Sequence, residues 1–381
     1  MRIAIFTDTF TTQANGTAKI INRLTDYLPK KDISFQLFSA KGPFTNQASH
    51  YVNQFPSVPF FLYPECRFAA PNFIKIKRKL QDFQPNIIHI ATPLNLGLCG
   101  LYHAKSRKIP LIGSYDTNFK EYLTYYNIEQ LSSVAWKYMR WFYRSFDKIL
   151  VPLQGVKQVL EEQKFQNVSL WTPGVDGALF HPEYDRFDVR LKYNIKRPYI
   201  LTYVGCLRPE KNVSALLEIA RHLPPHIKHQ VHWIIAGDGP LKETLQKDSL
   251  EHMTFTGLLR DQDLAKVYAA SDLFVSPFQT ETFEDVVLES LASGTPVIGA
   301  DSAGIQTVVT HGENGYLCET NSTEEFSNYI SLCLEHPDLR KKLGLQARRY
   351  ALTQTWDRVF DRLLTYYTIL LEKEKMNIQF A

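Results

Sequence analysis

The sequence predicts an α/β protein of two domains, and three observations carry that prediction. At 381 residues the chain exceeds what one hydrophobic core usually organises. Short apolar runs recur along it and end in turn-forming residues, the pattern of buried parallel strands. Longer helical stretches lie between them, and strands alternating with helices build parallel sheets covered on both faces. Hydrophobic content of 44% with 22% charged residues is ordinary for a soluble globular chain, so nothing argues for a fibrous or disordered class.

The first element is RIAIFTD (2–8), a buried strand that ends in the loop TFTTQANGTA before a helix from about Ala18 to Leu28. Asn15-Gly16-Thr17 then lies at a helix N-terminus on the sheet's carboxyl edge, which suits an anion. A simple turn around Gly16 fits the same residues. There is no GxGxxG, which disfavours a nicotinamide dehydrogenase. Strands follow at SFQLFSA (34–40), NIIHIA (86–91), IPLIGSY (109–115) and KILVP (148–152). His89, inside an apolar strand, reads as a core histidine with satisfied ring nitrogens.

Between the last two strands, YDTNFKEYLTYY (115–126) is a loop entering a helix. The segment WKYMRWFYRSFDKIL (136–150) has helical periodicity: Lys137, Arg140, Arg144 and Lys148 fall within roughly 80° of one another at about 100° per residue. Tyr138, Phe142, Phe146 and Ile149 face the other way, and Trp141 is expected exposed beside the cations. A basic face carrying a tryptophan suits an anionic bilayer surface, as does the second cluster Lys75, Lys77, Arg78 and Lys79. A solvated outer helix face is the plainer reading of the same stripe.

The Pro- and Gly-rich stretch WTPGVDGALFHPE (171–183) separates the halves. After it, YILTYVG (199–205) is a strand, and GCLRPEKNVSALLEIA (205–220) leads into a helix expected to begin at Asn212. Arg208 and Lys211 before a helix N-terminus make a diphosphate site by charge and dipole together, although an ordinary surface turn also fits. HWIIAGDGP (232–240) is a strand and glycine turn, and MTFTGLLRDQDLAKVYAASD (253–272) holds another strand and a helix. Asp261-Gln262-Asp263 resembles a metal-binding DxD but reads better as acidic residues opening a helix. The tail from about Trp356 is helical, with Val359, Leu363, Tyr366, Tyr367, Ile369 and Leu370 apolar.

The most informative stretch follows the strand DLFVSPF (272–278). It reads ETFEDVVLESLASGTPVIGADSAG (281–304), a loop, a helix from about Glu284 to Gly294, and the strand PVIGA (296–300). Ligands of such βαβ units sit at the strand's carboxyl end, facing the helix N-terminus. Glu281 and Glu289, with seven residues between them, can each accept hydrogen bonds from a diol, and the amides near Val286 and Val287 can meet negative charge. A nucleotide sugar has that layout; two solvated glutamates would also satisfy the spacing.

Composition narrows the class further. A net charge of +4 with no long Lys/Arg block does not argue for nucleic-acid binding. The five cysteines are scattered without a CxxC pair, which fits a reducing compartment and argues against a disulfide framework or zinc site. The chain opens directly into a strand and no apolar run reaches about 18 residues, so neither a signal peptide nor a membrane span is expected. Tandem repeats and low-complexity segments are absent.

The run from Glu281 to Gly304 resembles the signature of the retaining glycosyltransferases of family 4, specifically across 199–318 and by order and loop placement in the first half. The resemblance implies the GT-B fold, two Rossmann-like doubly wound domains facing a central cleft. It makes 1–173 the acceptor-side domain, 174–198 a linker with the family's Gly174-Val175-Asp176, 199–355 the nucleotide-sugar donor domain, and 356–381 a helix crossing back to the N-terminal domain. By the same carry-over Glu281 holds the hexose hydroxyls, Glu289 the ribose, Lys211 the phosphate, and the Gly16 loop approaches donor phosphate and acceptor. Gly205, Leu259, Phe283, Asp285, Val286 and Val287 complete the donor-binding set, with the backbone at 257–259 near the base.

Three departures stand out. Cys206 occupies the family's arginine position, leaving Arg208 as the replacement guanidinium. Asp116 stands where histidine is usual, so its donor contact is in doubt, and Glu284 replaces a glycine and narrows the pocket. The resemblance implies transfer of a hexose from a UDP- or GDP-hexose to a lipid or cell-envelope glycan, with retention, without metal or other cofactor. Lys211, Arg208 and Glu281 carry the chemistry, and Lys137, Arg140, Trp141 and Arg144 face the acceptor's membrane. The expected location is cytoplasmic, peripheral on the inner face of the plasma membrane. A catalytically weak sugar-nucleotide-binding regulator and a GT-B epimerase remain the alternatives.

Overall fold

The computed structural model describes residues 1–8, 16–41, 50–60, 63–115, 132–278 and 285–379, the side chains of 16, 17, 59, 60, 63–66, 132, 210, 375 and 377–379 excepted. The chain forms two compact units, Met1–Thr172 with Val359–Ala381, and Pro173–Arg358.

The first unit contains β1 (Arg2–Thr7), β2 (Ser34–Ala40), β3 (Val52–Phe55), β4 (Ser57–Phe60), β5 (Tyr63–Ala69), β6 (Ile87–Ile90), β7 (Leu111–Ser114), β8 (Lys148–Val151) and β9 (Val168–Leu170). Seven of these form one sheet in the order β3-β2-β1-β6-β7-β8-β9, every neighbour parallel. β4 and β5 make a separate antiparallel pair. Continuous apolar runs put β1, β6 and β7 at the buried centre, where Ile3, Ile5, Ile87 and Ile112 are fully covered. The edge strands β3 and β9 are short and mixed in polarity, VNQF and VSL, so no apolar run announces them.

The helix Trp356–Gln379 contributes to this unit from Val359 onward. Val359, Phe360, Leu363, Tyr367 and Leu370 are buried, at the i, i+4, i+7 spacing of one helical face. Ile369 is 53% exposed, contrary to its apolar reading, because it lies six residues and about 240° around the helix from Leu363. His89 is the satisfied core histidine expected: its Nδ1 lies 2.5 Å from the Tyr367 hydroxyl and its Nε2 2.9 Å from Ser114 Oγ. Burial pushes its pKa down to about 3, so it is neutral in the folded protein.

The second unit contains β10 (Tyr199–Val204), β11 (Val231–Ala236), β12 (Met253–Gly257), β13 (Leu273–Ser276), β14 (Val297–Ala300) and β15 (Gly315–Cys318). Its sheet runs β12-β11-β10-β13-β14-β15, again all parallel. Tyr203, Trp233, Phe278 and Ile298 pack one layer, and Tyr268, Phe274, Val287 and Leu288 pack the other.

Both sheets are Rossmann-like and doubly wound, the GT-B class. In each, strand addition reverses beside the first strand, between β1 and β6 and between β10 and β13. Crevices at the carboxyl ends of such reversal points are where α/β sheets bind ligands. Among the described residues no helix is long and apolar enough to cross a membrane.

Candidate active site

The reversal point of the second unit brings together the two motifs that the sequence separates by some 70 residues. β10 ends at Val204, and the chain then runs Gly205-Cys206-Leu207-Arg208 into a 3₁₀ turn, Pro209–Lys211. The helix does not begin at Asn212 as expected. Asn212 takes a left-handed conformation (φ 47°) that closes the 3₁₀ turn, and the α-helix spans Ala215–His222. The reason is local: Pro209 starts a turn readily, and asparagine tolerates the left-handed region that ends it. Arg208 and Lys211 therefore bracket one turn, joined by the Lys211 amide donating to the Arg208 carbonyl at 3.1 Å.

Across the reversal point lies the exit of β13. The Lys211 ammonium sits over the Phe278 ring, 5.3 Å from its centroid, a cation–π contact worth about 1 kcal/mol. Asn212 Nδ2 reaches the Pro277 carbonyl at 3.5 Å and Asn321 Oδ1 at 3.3 Å. Phe278 is in turn held edge-to-face by Tyr203 from β10, ring centroids 5.4 Å apart. Sequence reasoning treated Phe278 only as the end of a strand. Its aromatic character beside a proline was the one available sign that it would support a cation.

Backbone alone stitches the neighbouring strand exits into a floor. Gly205 N donates to Ala236 O at 3.0 Å, Leu207 N to Asp238 O at 2.9 Å, and Gly237 N to Gly257 O at 2.9 Å. A Cβ at Gly237 would lie 1.9 Å from the Gly205 carbonyl oxygen, so only glycine permits that approach. Asp238 forms an ion pair with Lys242 at 3.1 Å. Leu259 packs against the core containing Tyr268 and Phe274, whereas Leu258 is 66% exposed.

The helix after β13 spans Asp285–Ala292 and carries both described acids of its motif. Asp285, Val286 and Glu289 are half-buried, and Val287 is fully buried in the core. Asp285 occupies the first turn, where an acid suits the helix dipole, and Glu289 the second. Tyr268, fully buried behind the helix, has its hydroxyl pKa pushed far up by burial first and then by the Glu289 and Asp285 carboxylates. Glu281, Phe283 and Glu284 lie outside the described residues, as does Asp116 in the first unit. Gly16 opens the helix Gly16–Tyr27, two residues earlier than expected.

The basic stripe of the first unit survives only in part. Its helix spans Ser132–Tyr143 rather than reaching residue 150, and Lys148 instead opens β8, where it stacks over Tyr366 at 4.6 Å. The strand expected at 148–152 takes precedence over the longer helix, because Ile149, Leu150 and Val151 are buried where β8 pairs between β7 and β9. Lys137 and Arg144 are exposed, Trp141 is 54% exposed, and Arg140 is tied to Gln163 Oε1 at 3.0 Å. Asp261 and Asp263 open the helix Asp261–Ala270, and Asp263 pairs with Lys192 at 3.1 Å.

Comparison with known proteins matches both halves of the chain. A family model described as "Glycosyltransferase Family 4" matches residues 14–179, and one described as "Glycosyl transferases group 1" matches 185–350. The chain is 31% identical over 324 residues to alpha-monoglucosyldiacylglycerol synthase of Streptococcus pneumoniae, covering 81% of this chain and 73% of that protein. The chain belongs to the family 4 glycosyltransferases. This glycosyltransferase is also 29% identical to a GDP-mannose-dependent alpha-mannosyltransferase of Mycobacterium tuberculosis, covering 96% of each. Its fold matches sucrose-phosphate synthase from Thermosynechococcus elongatus with a TM-score of 0.76 at 19% identity, covering 98% of this chain and 100% of that one. Anabaena HepE in complex with UDP matches with a TM-score of 0.76 at 17% identity, covering 96% and 99%.

Proposed function

We propose that this glycosyltransferase moves a hexose from a UDP- or GDP-hexose to a hydroxyl of a lipid or cell-envelope glycan, with retention of anomeric configuration. The observation that carries the reading is Lys211 lodged over Phe278, which unites the exits of β10 and β13 at the reversal point. Breaking a glycosyl–phosphate bond builds negative charge on the leaving diphosphate. A lysine and an arginine beside helix and loop amides stabilise that charge more in the transition state than in the ground state. Lys211 is the leading catalytic residue, Arg208 the second, and Glu281 holds the hexose. Glu289 takes the ribose, Gly205, Leu259, Asp285, Val286 and the amide of Val287 serve the rest of the donor, and Phe283, Glu284, Gly16 and Asp116 are the further donor-binding residues that the family resemblance implies.

Attack occurs on the face from which the diphosphate departs, and the diphosphate helps deprotonate the acceptor. The two cations do the neutralising that a metal does elsewhere, so a chelator leaves turnover unchanged. The first unit offers the acceptor. Its exposed Lys137, Trp141 and Arg144, with Arg140, and the helix Phe73–Phe83 with exposed Phe73 and Ile74 beside Lys75, Arg78 and Lys79, suit an anionic bilayer. The protein then works in the cytoplasm, peripheral to the inner membrane face. The relatives named for a mannosyltransferase and a glucolipid synthase support this choice of donors and acceptors.

The test is a screen of UDP- and GDP-sugars for thermal stabilisation, followed by assay of the best donor against membrane lipid extract. Acceptor-dependent release of nucleotide supports transfer. Release without acceptor marks an epimerase or hydrolase, and stabilisation without turnover marks a sugar-nucleotide-binding regulator.

A further inference from the structure

At the first unit's reversal point the residue leaving β1 is an acid. Asp8 is fully buried, and its amide donates to Thr92 Oγ1 at 2.8 Å. The Thr92 hydroxyl donates back to Asp8 Oδ2 at 2.9 Å, and the Leu96 amide approaches Oδ1 at 3.4 Å. Backbone amides of Gly97 and Ala69 also serve the carboxyl group. The helix Asn95–Arg107 has no acid in its own first turn and no side-chain cap from Leu94. Asp8 therefore caps it from a distant part of the chain, 88 residues from Leu96.

The packing leaves this arrangement little freedom. A Cβ at Gly97 would lie 2.1 Å from the Thr92 carbonyl oxygen, so the helix start is pressed onto the turn that follows β6. That turn is held on its other side by the Tyr138 hydroxyl, which donates to the Pro93 carbonyl at 2.7 Å. The titratable groups facing Asp8 are Cys99 from the helix Asn95–Arg107 and Tyr138 from the helix Ser132–Tyr143. Burial and the Asp8 charge push each of them up to about 12, so both are neutral near pH 7. Among the described residues, no cation is among the largest influences on Asp8. Burial pushes its own pKa up to about 7, with the hydrogen bonds from Thr92 and the amides pulling the other way.

We propose that Asp8 is a positioning residue for the transfer reaction: its carboxylate holds the exit of β1, the turn after β6 and the first turn of the helix Asn95–Arg107 in the one register on which the acceptor-side crevice is built. This rests on the reading that the first unit offers the acceptor. The ionised carboxylate accepts from every donor aimed at it. The protonated form must place its own hydrogen against a Thr92 hydroxyl that is already donating, so the clamp's hydrogen bonds loosen on protonation even though removing the buried charge favours the fold as a whole.

Two measurements test it on the full-length protein. Turnover, with the donor and acceptor found by the screen above, should rise as pH increases through about 7. Asp8→Asn should be flat in pH and roughly 10-fold slower than wild type above neutrality. Thr92→Val, which removes one donor to the carboxylate, should move the midpoint of the rise upward. A midpoint unmoved by Thr92→Val, or an Asp8→Asn variant that keeps the rise, overturns the proposal. Thermal melting against pH needs no substrate and separates the two readings. If Asp8→Asn changes the pH dependence of melting but not that of turnover, Asp8 is structural only and the glycosyl-transfer reading stands. If melting changes and no donor or acceptor supports turnover, the positioning role falls together with that reading.

Discussion

The two units share one topology and use its reversal point in opposite ways. In the second, the chain leaves the first strand through glycine into Arg208 and Lys211, backbone hydrogen bonds join the exits of β11 and β12 to it, and Lys211 and Asn212 reach the exit of β13. In the first, the chain leaves through Asp8, whose carboxylate occupies the amides of the facing helix. One reversal point carries two cations, and the other is filled by a carboxyl group of its own. Shared strand order thus puts a crevice at the same place in each unit, and the residues after the first strand give the two crevices different charge.

The sharpest way to break this comparison is Lys211→Ala. Turnover should fall about 100-fold or more, while nucleotide diphosphate affinity, read by calorimetry, should weaken by much less. A loss confined to affinity would reduce Lys211 to a binding residue and remove the electrostatic contrast. Next in size are the glycines that let each reversal point close. Gly237→Ala drives a methyl into the Gly205 carbonyl and Gly97→Ala drives one into Thr92. Each should lower denaturant stability by about 2–4 kcal/mol. Little change in either would show that the strand exit in question can relax without its close approach.

pH sharpens the contrast inside the first unit. Asp8 is raised to about 7 from an ordinary 3.8, so the folded state holds its proton longer than the unfolded state does. Its contribution to stability is present below pH 4 and is lost as pH rises through about 7. His89 has the opposite sign. With its pKa lowered from 6.5 to about 3, its contribution is present above 6.5 and is lost as pH falls toward 3. The two slopes oppose each other between pH 4 and 6.5. Melting of Asp8→Asn should therefore fall more steeply than wild type on acidification, and His89→Gln less steeply. Parallel curves for all three proteins would contradict both burial assignments.

The smallest expected effect concerns the outer face of the first unit. Arg144→Glu should weaken partition into anionic vesicles several-fold, by about 1 kcal/mol or more, and leave neutral vesicles unaffected, whereas Trp141→Ala should weaken partition into both. Unchanged sedimentation would leave that helix as a solvated surface.

The candidate site's charged residues could be picked out before any coordinates. Glu289, Asp285 and Lys211 stand out because strand, turn and helix signals are local, and a cation or acid beside a helix start has a meaning within a few residues. Lys148 shows where such reading fails. It falls in two overlapping local patterns, the helical stripe 136–150 and the strand 148–152, and pairing with β7 and β9 decides for the strand. Asn212 fails for the opposite reason, since the proline-led turn before it is shorter than the periodicity being sought.

By itself the sequence determined the alternation of buried strands and amphipathic helices, the position of the central loop-and-helix motif, and the charges it carries. These depend on residue type and near neighbours, which the chain order holds directly. Only the tertiary structure decided that Lys211 rests on Phe278, that Gly237 lies against Gly205, and that Asp8 caps a helix 88 residues away. Those relations come from bringing the carboxyl ends of parallel strands side by side. Side-chain meaning there is set by partners distant along the chain, and by burial that no single segment can produce alone.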